Sequence, residues 1–149
     1  MITFRTHESN IHLIARGLIF RGEEIILCRG KGQGYFFLPG GHVEDGEPAR
    51  MALVRELREE IGDNNYQATS LLGVCENIFS LEEGLLQHEV NFVFKVEVPL
   101  DSKMDSAEDH LEFISIKRED LKDYNIMPEK IKEGLLEWLD NGKQFLKEL

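Results

Sequence analysis

One stretch, residues 40–62, constrains this chain more than any other. Pro39, Gly40, Gly41 and Gly46 mark a loop, because proline and glycine punctuate regular structure. Pro48 suits the first helical position, where its missing N–H would be unpaired in any case. Gly62 supplies a natural stop. Between them the spacing predicts a helix of roughly four turns. At about 100° per residue, Ala49, Leu53, Leu57 and Ile61 form one apolar stripe. Glu56, Glu59 and Glu60 fall beside it on a single face. Ala49 and Ala52 lie next to these acids and leave room for a group approaching the carboxylates. Like charges at this spacing destabilise a helix, and Arg55 and Arg58 offset only part of the repulsion. A hard cation, which prefers oxygen ligands, is a reason to gather them. A solvated acidic face is the plain alternative.

The glycine loop and the acids at these fixed offsets resemble the signature of the Nudix hydrolase family (MutT-like proteins). Gly41, Glu47, Arg55, Glu56, Leu57, Glu59, Glu60 and Gly62 stand at every spacing of that signature. Asp63 departs from it, standing where a bulky apolar residue seats the helix end. The resemblance implies an α/β fold, the α/β/α sandwich of Nudix domains with a mixed β-sheet, as a single domain over residues 1–149. It also implies a hydrolase that cleaves the P–O–P bond of a nucleoside diphosphate linked to another moiety. Magnesium, with manganese as the alternative, would be held by the helix carboxylates. By the family pattern Glu56 and Glu60 are the main ligands, with the Gly40 carbonyl and Glu59 completing the set. Glu59 or Glu56 is then the nearest carboxylate to take the proton from water. Some relatives use a later loop instead, for which Glu108 and Glu112 are the candidates, and spacing does not choose among them. Gly41, Glu47 and Arg55 support the site, the last two by bracing the loop against the helix. The rival is a non-catalytic Nudix-fold nucleotide sensor or binding module; such proteins usually lose box glutamates, and all are present here.

Length and charge limit the partners. At 149 residues the chain is one domain by the length prior and long enough for a real core. A net charge of −11 disfavours nucleic-acid polymers and anionic membranes. It is compatible with a small anionic substrate if bound cations reverse the field locally. Cys28 and Cys75 lie in apolar runs and read as buried reduced thiols. No apolar run approaches ~18 residues, so no membrane span is expected. Met1–Arg5 lacks the apolar core of a secretory signal, which makes the cytoplasm the default location. The oligomeric state is left open, a homodimer included.

Along the chain, alternation predicts a strand over 11–20, a turn at 21–24 and an antiparallel partner from Ile25 to Cys28. Residues 29–34 form a glycine-rich basic loop, from which Arg29 or Lys31 is placed to meet phosphate. Arg16 is a second substrate-binding candidate, because a charge in an apolar strand needs a partner. A surface acid would serve it equally well. Tyr35–Pro39 reads as a short aromatic strand. The stretches 70–79 and 88–98 read as a hairpin, and 111–116 as a further strand followed by a helical turn. Pro128 opens a last helix whose stripe runs through Ile131, Leu135, Trp138 and Leu139 and on toward Phe145, Leu146 and Leu149. The order β-β-β-α-β-β-β-α implies a mixed sheet with helices on its faces.

Substrate choice is less legible. A proline that marks many ADP-ribose hydrolases, about fifteen residues past the box, is replaced here by Ile78 and Phe79. The proline-rich array of NADH-type relatives is absent, and so is the tyrosine of dinucleoside-polyphosphate hydrolases. Nucleoside triphosphates and nucleotide sugars or alcohols remain.

Overall fold

Alternating strands and two amphipathic helices need a shared sheet to bury their apolar sides, and the computed structural model, which describes residues 11–148, builds one. The expectations that concern Met1–Arg5 and Leu149 lie outside the described residues. The elements run β1 (Ile11–Arg21), β2 (Glu24–Gly30), β3 (Gly40–His42), α1 (Ala49–Ile61), β4 (Gln67–Ser80), β5 (Leu86–Val98), β6 (Leu111–Lys117), α2 (Glu129–Asn141) and β7 (Phe145–Lys147). The sheet order is β6-β2-β1-β5-β4-β7, with β3 also paired to β1. β1 and β5 are parallel, as are β4 and β7, and the other pairs are antiparallel, so the sheet is mixed.

Strand alternation sorts the core into two halves. Leu18 and Phe20 of β1, Ile25 and Leu27 of β2, and Val93 of β5 join Ile131 and Leu135 of α2. Ala15 and Ile19 of β1, Ile26 of β2, and Phe94, Val96 and Val98 of β5 join Leu53, Leu57 and Ile61 of α1. Cys28 and Cys75 are free and fully buried. Burial pushes the Cys28 thiol up to about 12 and the Cys75 thiol up to about 11. Among the described residues no helix is long and apolar enough to cross a membrane.

Four local readings are corrected. Tyr35–Pro39 is not a strand: Phe37 makes one bridge to Cys28 and Phe36 one to Ile126. The strand forms one step later, at Gly40–His42, inside what reads as loop, because Pro39 has no N–H to offer and Gly40 faces Arg16 in the β1 register. Ala52 is fully buried in the α1 core and leaves no room beside the acids, whereas Ala49 is only partly buried. The last helix does not run on to Phe145. Gly142 adopts a left-handed conformation at φ +70° and its N–H closes on the Trp138 carbonyl at 2.8 Å. The chain then turns back so that Phe145 packs between two glycines. A Cβ at Gly73 or at Gly134 would lie 2.5 Å from its ring.

The departure at Asp63 also has a structural answer. Asp63 is exposed, and the helix end is seated instead by buried Tyr66, whose hydroxyl donates to the Gly62 carbonyl at 2.8 Å. The acidic loop 99–110 docks on the same end, with the Ala107 N–H bonded to the Glu60 carbonyl at 2.7 Å.

Candidate active site

The site begins with two glycines laid against a helix. Gly40 has φ +144°, and a Cβ there would lie 2.0 Å from the Ala15 carbonyl oxygen of β1. At Gly41 a Cβ would sit 2.4 Å from the Glu56 carboxyl carbon. The bare backbone of β3 therefore rests on the Glu56 carboxylate. One turn further along α1, Glu60 accepts a hydrogen bond from the Gly40 N–H at 3.3 Å. Glu56, Glu60 and the Gly40–Gly41 backbone are thus brought together, as three distant-looking parts of one short stretch.

Arg55 organises the other flank. Its Nε and Nη2 donate to the two Glu47 carboxylate oxygens at 2.8 and 2.9 Å, a planar fork on a planar acceptor. Nη2 also reaches the His42 carbonyl at 3.1 Å, and Nη1 reaches Glu56 at 3.0 Å and Glu59 at 3.4 Å. The hydrogen bond from Arg55 holds the Glu47 carboxyl below the usual carboxylate range, and Glu47 in turn raises Arg55. This places Glu47 and Arg55 where a brace between loop and helix must stand. It also draws the more exposed Glu59 toward Arg55.

Burial, then the charge of Glu56, pushes the Glu60 carboxyl up to about 8; Glu108 adds to the rise, while the Gly40 N–H and Arg16 oppose it. Burial and the neighbouring carboxylate both penalise the charged form of Glu60. Among the described residues no group of three His, Cys, Asp or Glu side chains is gathered closely enough to hold a metal ion as it stands. The donor set nonetheless suits a hard cation: carboxylate oxygens, a carbonyl at Gly40, and a glycine at 41 where any side chain would fill the space against Glu56.

The remaining candidates divide. Arg16 is half-buried, and burial holds its guanidinium below its ordinary value. Its Nη1 donates to the Leu38 carbonyl at 3.1 Å and its Nε to Asn91 Oδ1 at 3.4 Å. Among the described residues no carboxylate forms an ion pair with it; Glu89, Glu60 and Glu56 act on it from further away. Arg29 is occupied differently. It pairs with Glu112, its register partner across β2 and β6, and lies 5.1 Å from the Phe36 ring centroid. Glu108 lies beside the Ala107 tether, its carboxylate 3.3 Å from His110 Nε2. The Lys31 N–H bonds to the His110 carbonyl at 3.0 Å, which joins the glycine-rich loop to the same corner. Asn91 and Tyr66 escape the sequence reading. The signal for Asn91 is a lone amide within the apolar run Val90–Phe94, and Tyr66 carries none beyond its place after Gly62.

A model of the NUDIX domain family matches residues 11–141 of this chain. The chain is 31% identical over 131 residues to the ADP-ribose pyrophosphatase of Methanocaldococcus jannaschii, which covers 82% of this chain and 71% of that protein. The crystal structure of a UDP-X diphosphatase aligns with a TM-score of 0.71 at 26% identity, over 95% of this chain and 70% of the other. The MutT protein of Bacillus halodurans shares the fold, with a TM-score of 0.71 at 20% identity over 92% and 88% of the two chains. The chain belongs to the Nudix family of hydrolases. Within that family it is an enzyme of the pyrophosphatase class.

Proposed function

We propose that this protein is a magnesium-dependent hydrolase of the P–O–P bond in a nucleoside diphosphate linked to another moiety. One observation carries the reading: the Glu56 carboxylate rests against the bare backbone of Gly41 while Glu60, one turn on, accepts the Gly40 N–H at 3.3 Å. Glu56, Glu60 and the Gly40 carbonyl would hold the cation, with manganese able to replace magnesium, and Glu59 would join them on leaving Arg55. When bound, the ion cancels charge on the diphosphate and lowers the pKa of the attacking water.

The chain's own groups do the rest. Arg16 would present a guanidinium, in no ion pair among the described residues, to a phosphate oxygen. Arg29 and Phe36 offer a charged and an aromatic surface at the edge of the glycine-rich loop. Of the carboxylates able to take the water proton, Glu112 is paired with Arg29 and Glu59 with Arg55, and Glu56 lies with Glu60. Glu108, whose contact is with the exposed imidazole of His110 rather than with a guanidinium or a second carboxylate, is our choice of base. Arg55 and Glu47 keep the ligand carboxylates aimed, the part that neighbours of metal ligands commonly play.

Two of the three named relatives, the ADP-ribose pyrophosphatase and the UDP-X diphosphatase, carry in their names a nucleoside diphosphate bearing a further group, which supports nucleotide sugars or alcohols ahead of triphosphates. We place the enzyme in the cytoplasm as one Nudix domain. Its partner is a small nucleotide, not a polymer or a membrane. The test is a panel of nucleoside triphosphates, ADP-ribose and UDP-linked compounds assayed with magnesium and then manganese. Release of a nucleoside monophosphate from a conjugate is expected. Saturable nucleotide binding with no turnover on any substrate would favour the sensor reading instead.

A further inference from the structure

We propose that Asn91 is a positioning residue that aims the Arg16 guanidinium at the substrate phosphate; the role rests on the hydrolase reading above. Among the described residues Asn91 is the sole polar side chain that is fully buried. A buried amide is costly unless its donors and acceptor are paired, so its presence in an apolar strand calls for a reason. Its partners supply one. Nδ2 donates to the Cys75 carbonyl of β4 at 3.3 Å, and Oδ1 accepts from Arg16 Nε of β1 at 3.4 Å. Asn91 stands opposite Cys75 on one side and Ile14 on the other, so a single amide ties three adjacent strands. Because its NH₂ end is engaged by a carbonyl, the amide cannot flip without turning N–H groups toward a cation. The oxygen end is locked onto Arg16.

The Leu38 carbonyl fixes a second point at Nη1. Two contacts define the plane of a guanidinium, whose five donors form a rigid fork. Both holders are neutral, so the charge of Arg16 is kept for an anion. An aspartate at position 91 would hold the same nitrogen but neutralise it, and a leucine would pack while releasing it. The acids near Arg16, namely Glu89 on β5 and Glu56 and Glu60 on α1, make no ion pair with it.

The test is a cycle of Asn91→Ala, Arg16→Ala and the double variant. KM and kcat are measured on the best substrate of the panel, and inorganic pyrophosphate binding is measured with magnesium by calorimetry. Asn91→Ala is expected to raise KM and the pyrophosphate Kd about tenfold, the lower end of what a hydrogen bond to a charged group supports, with kcat changed little. In the Arg16→Ala background the same change should have almost no effect. Asn91→Leu fills the space without a hydrogen bond to Arg16 and should also weaken pyrophosphate binding; it decides the matter if the alanine variant fails to fold. Equal losses in both Arg16 backgrounds, or wild-type KM and Kd in Asn91→Leu, would overturn the proposal. If the wild type binds pyrophosphate but turns over nothing, the hydrolase reading fails and the Kd cycle alone decides Asn91. If it neither binds nor turns over, both fall.

Discussion

Glu60 is where the charge balance of the site is most exposed to experiment. Its carboxyl is pushed up to about 8, against 4.5 for an ordinary glutamate, with burial as the first cause. A carboxyl raised on folding holds its proton more firmly in the native state. Its contribution to stability is therefore fully present below the unfolded pKa and is lost as pH rises through about 8. Glu60→Gln mimics the protonated form and escapes that loss. Without divalent ions, the melting temperature of the variant should gain on the wild type as pH rises from about 5 to about 9. A constant difference across that window would place the titrating group elsewhere. The residues themselves differed in legibility. Glu56 and Glu60 were readable because helical spacing alone puts them side by side. Asn91 was not, since nothing local says that Arg16, 75 positions away, is its partner.

At the scale of single elements, α1 and the loop before it act as one braced unit. Arg55 touches Glu47, the His42 carbonyl, Glu56 and Glu59, so its removal loosens loop and ligands together. Arg55→Ala should weaken magnesium binding by about 10–100-fold, read by calorimetry. Arg55→Lys should restore little of it, because an ammonium cannot match the two-oxygen contact on Glu47. Wild-type affinity in either variant would reduce the brace to a surface ion pair. This helix was well anticipated because Gly62 and the apolar stripe agree locally, although Pro48 proves to be its extended N-cap and Ala49 its first residue. β3 and β7 were not. Each is three residues long, and each exists because a distant strand offers it a partner, β1 in one case and β4 in the other. The end of α2 depends on Gly142, and the place of Phe145 on two glycines remote from it in the chain. Phe145 is 6% exposed, so Phe145→Ala should cost about 3–5 kcal/mol in denaturant unfolding. A loss under about 1 kcal/mol would mean that β7 is not part of the cooperative core.

Across the whole molecule, a net charge of −11 would have to be overcome by the anionic substrate proposed above. On that proposal the answer is local: the carboxylates proposed as ligands on one helix flank, Arg16 on β1, and the acidic loop 99–110 tied down at the Glu60 carbonyl. Mixed-sheet architecture was legible from strand and helix order, whereas the parallel pairing of β1 with β5 needs the assembled sheet. Substrate identity stayed out of reach because it depends on loops whose placement is set by such long-range contacts. The most direct measurement of the central claim is the magnesium dependence of nucleotide-conjugate hydrolysis in the wild type and in Glu60→Gln. The account predicts turnover that rises from nothing to saturation with magnesium in the wild type and is nearly abolished in Glu60→Gln at every magnesium concentration. Magnesium-independent turnover, or full activity in Glu60→Gln, would contradict it.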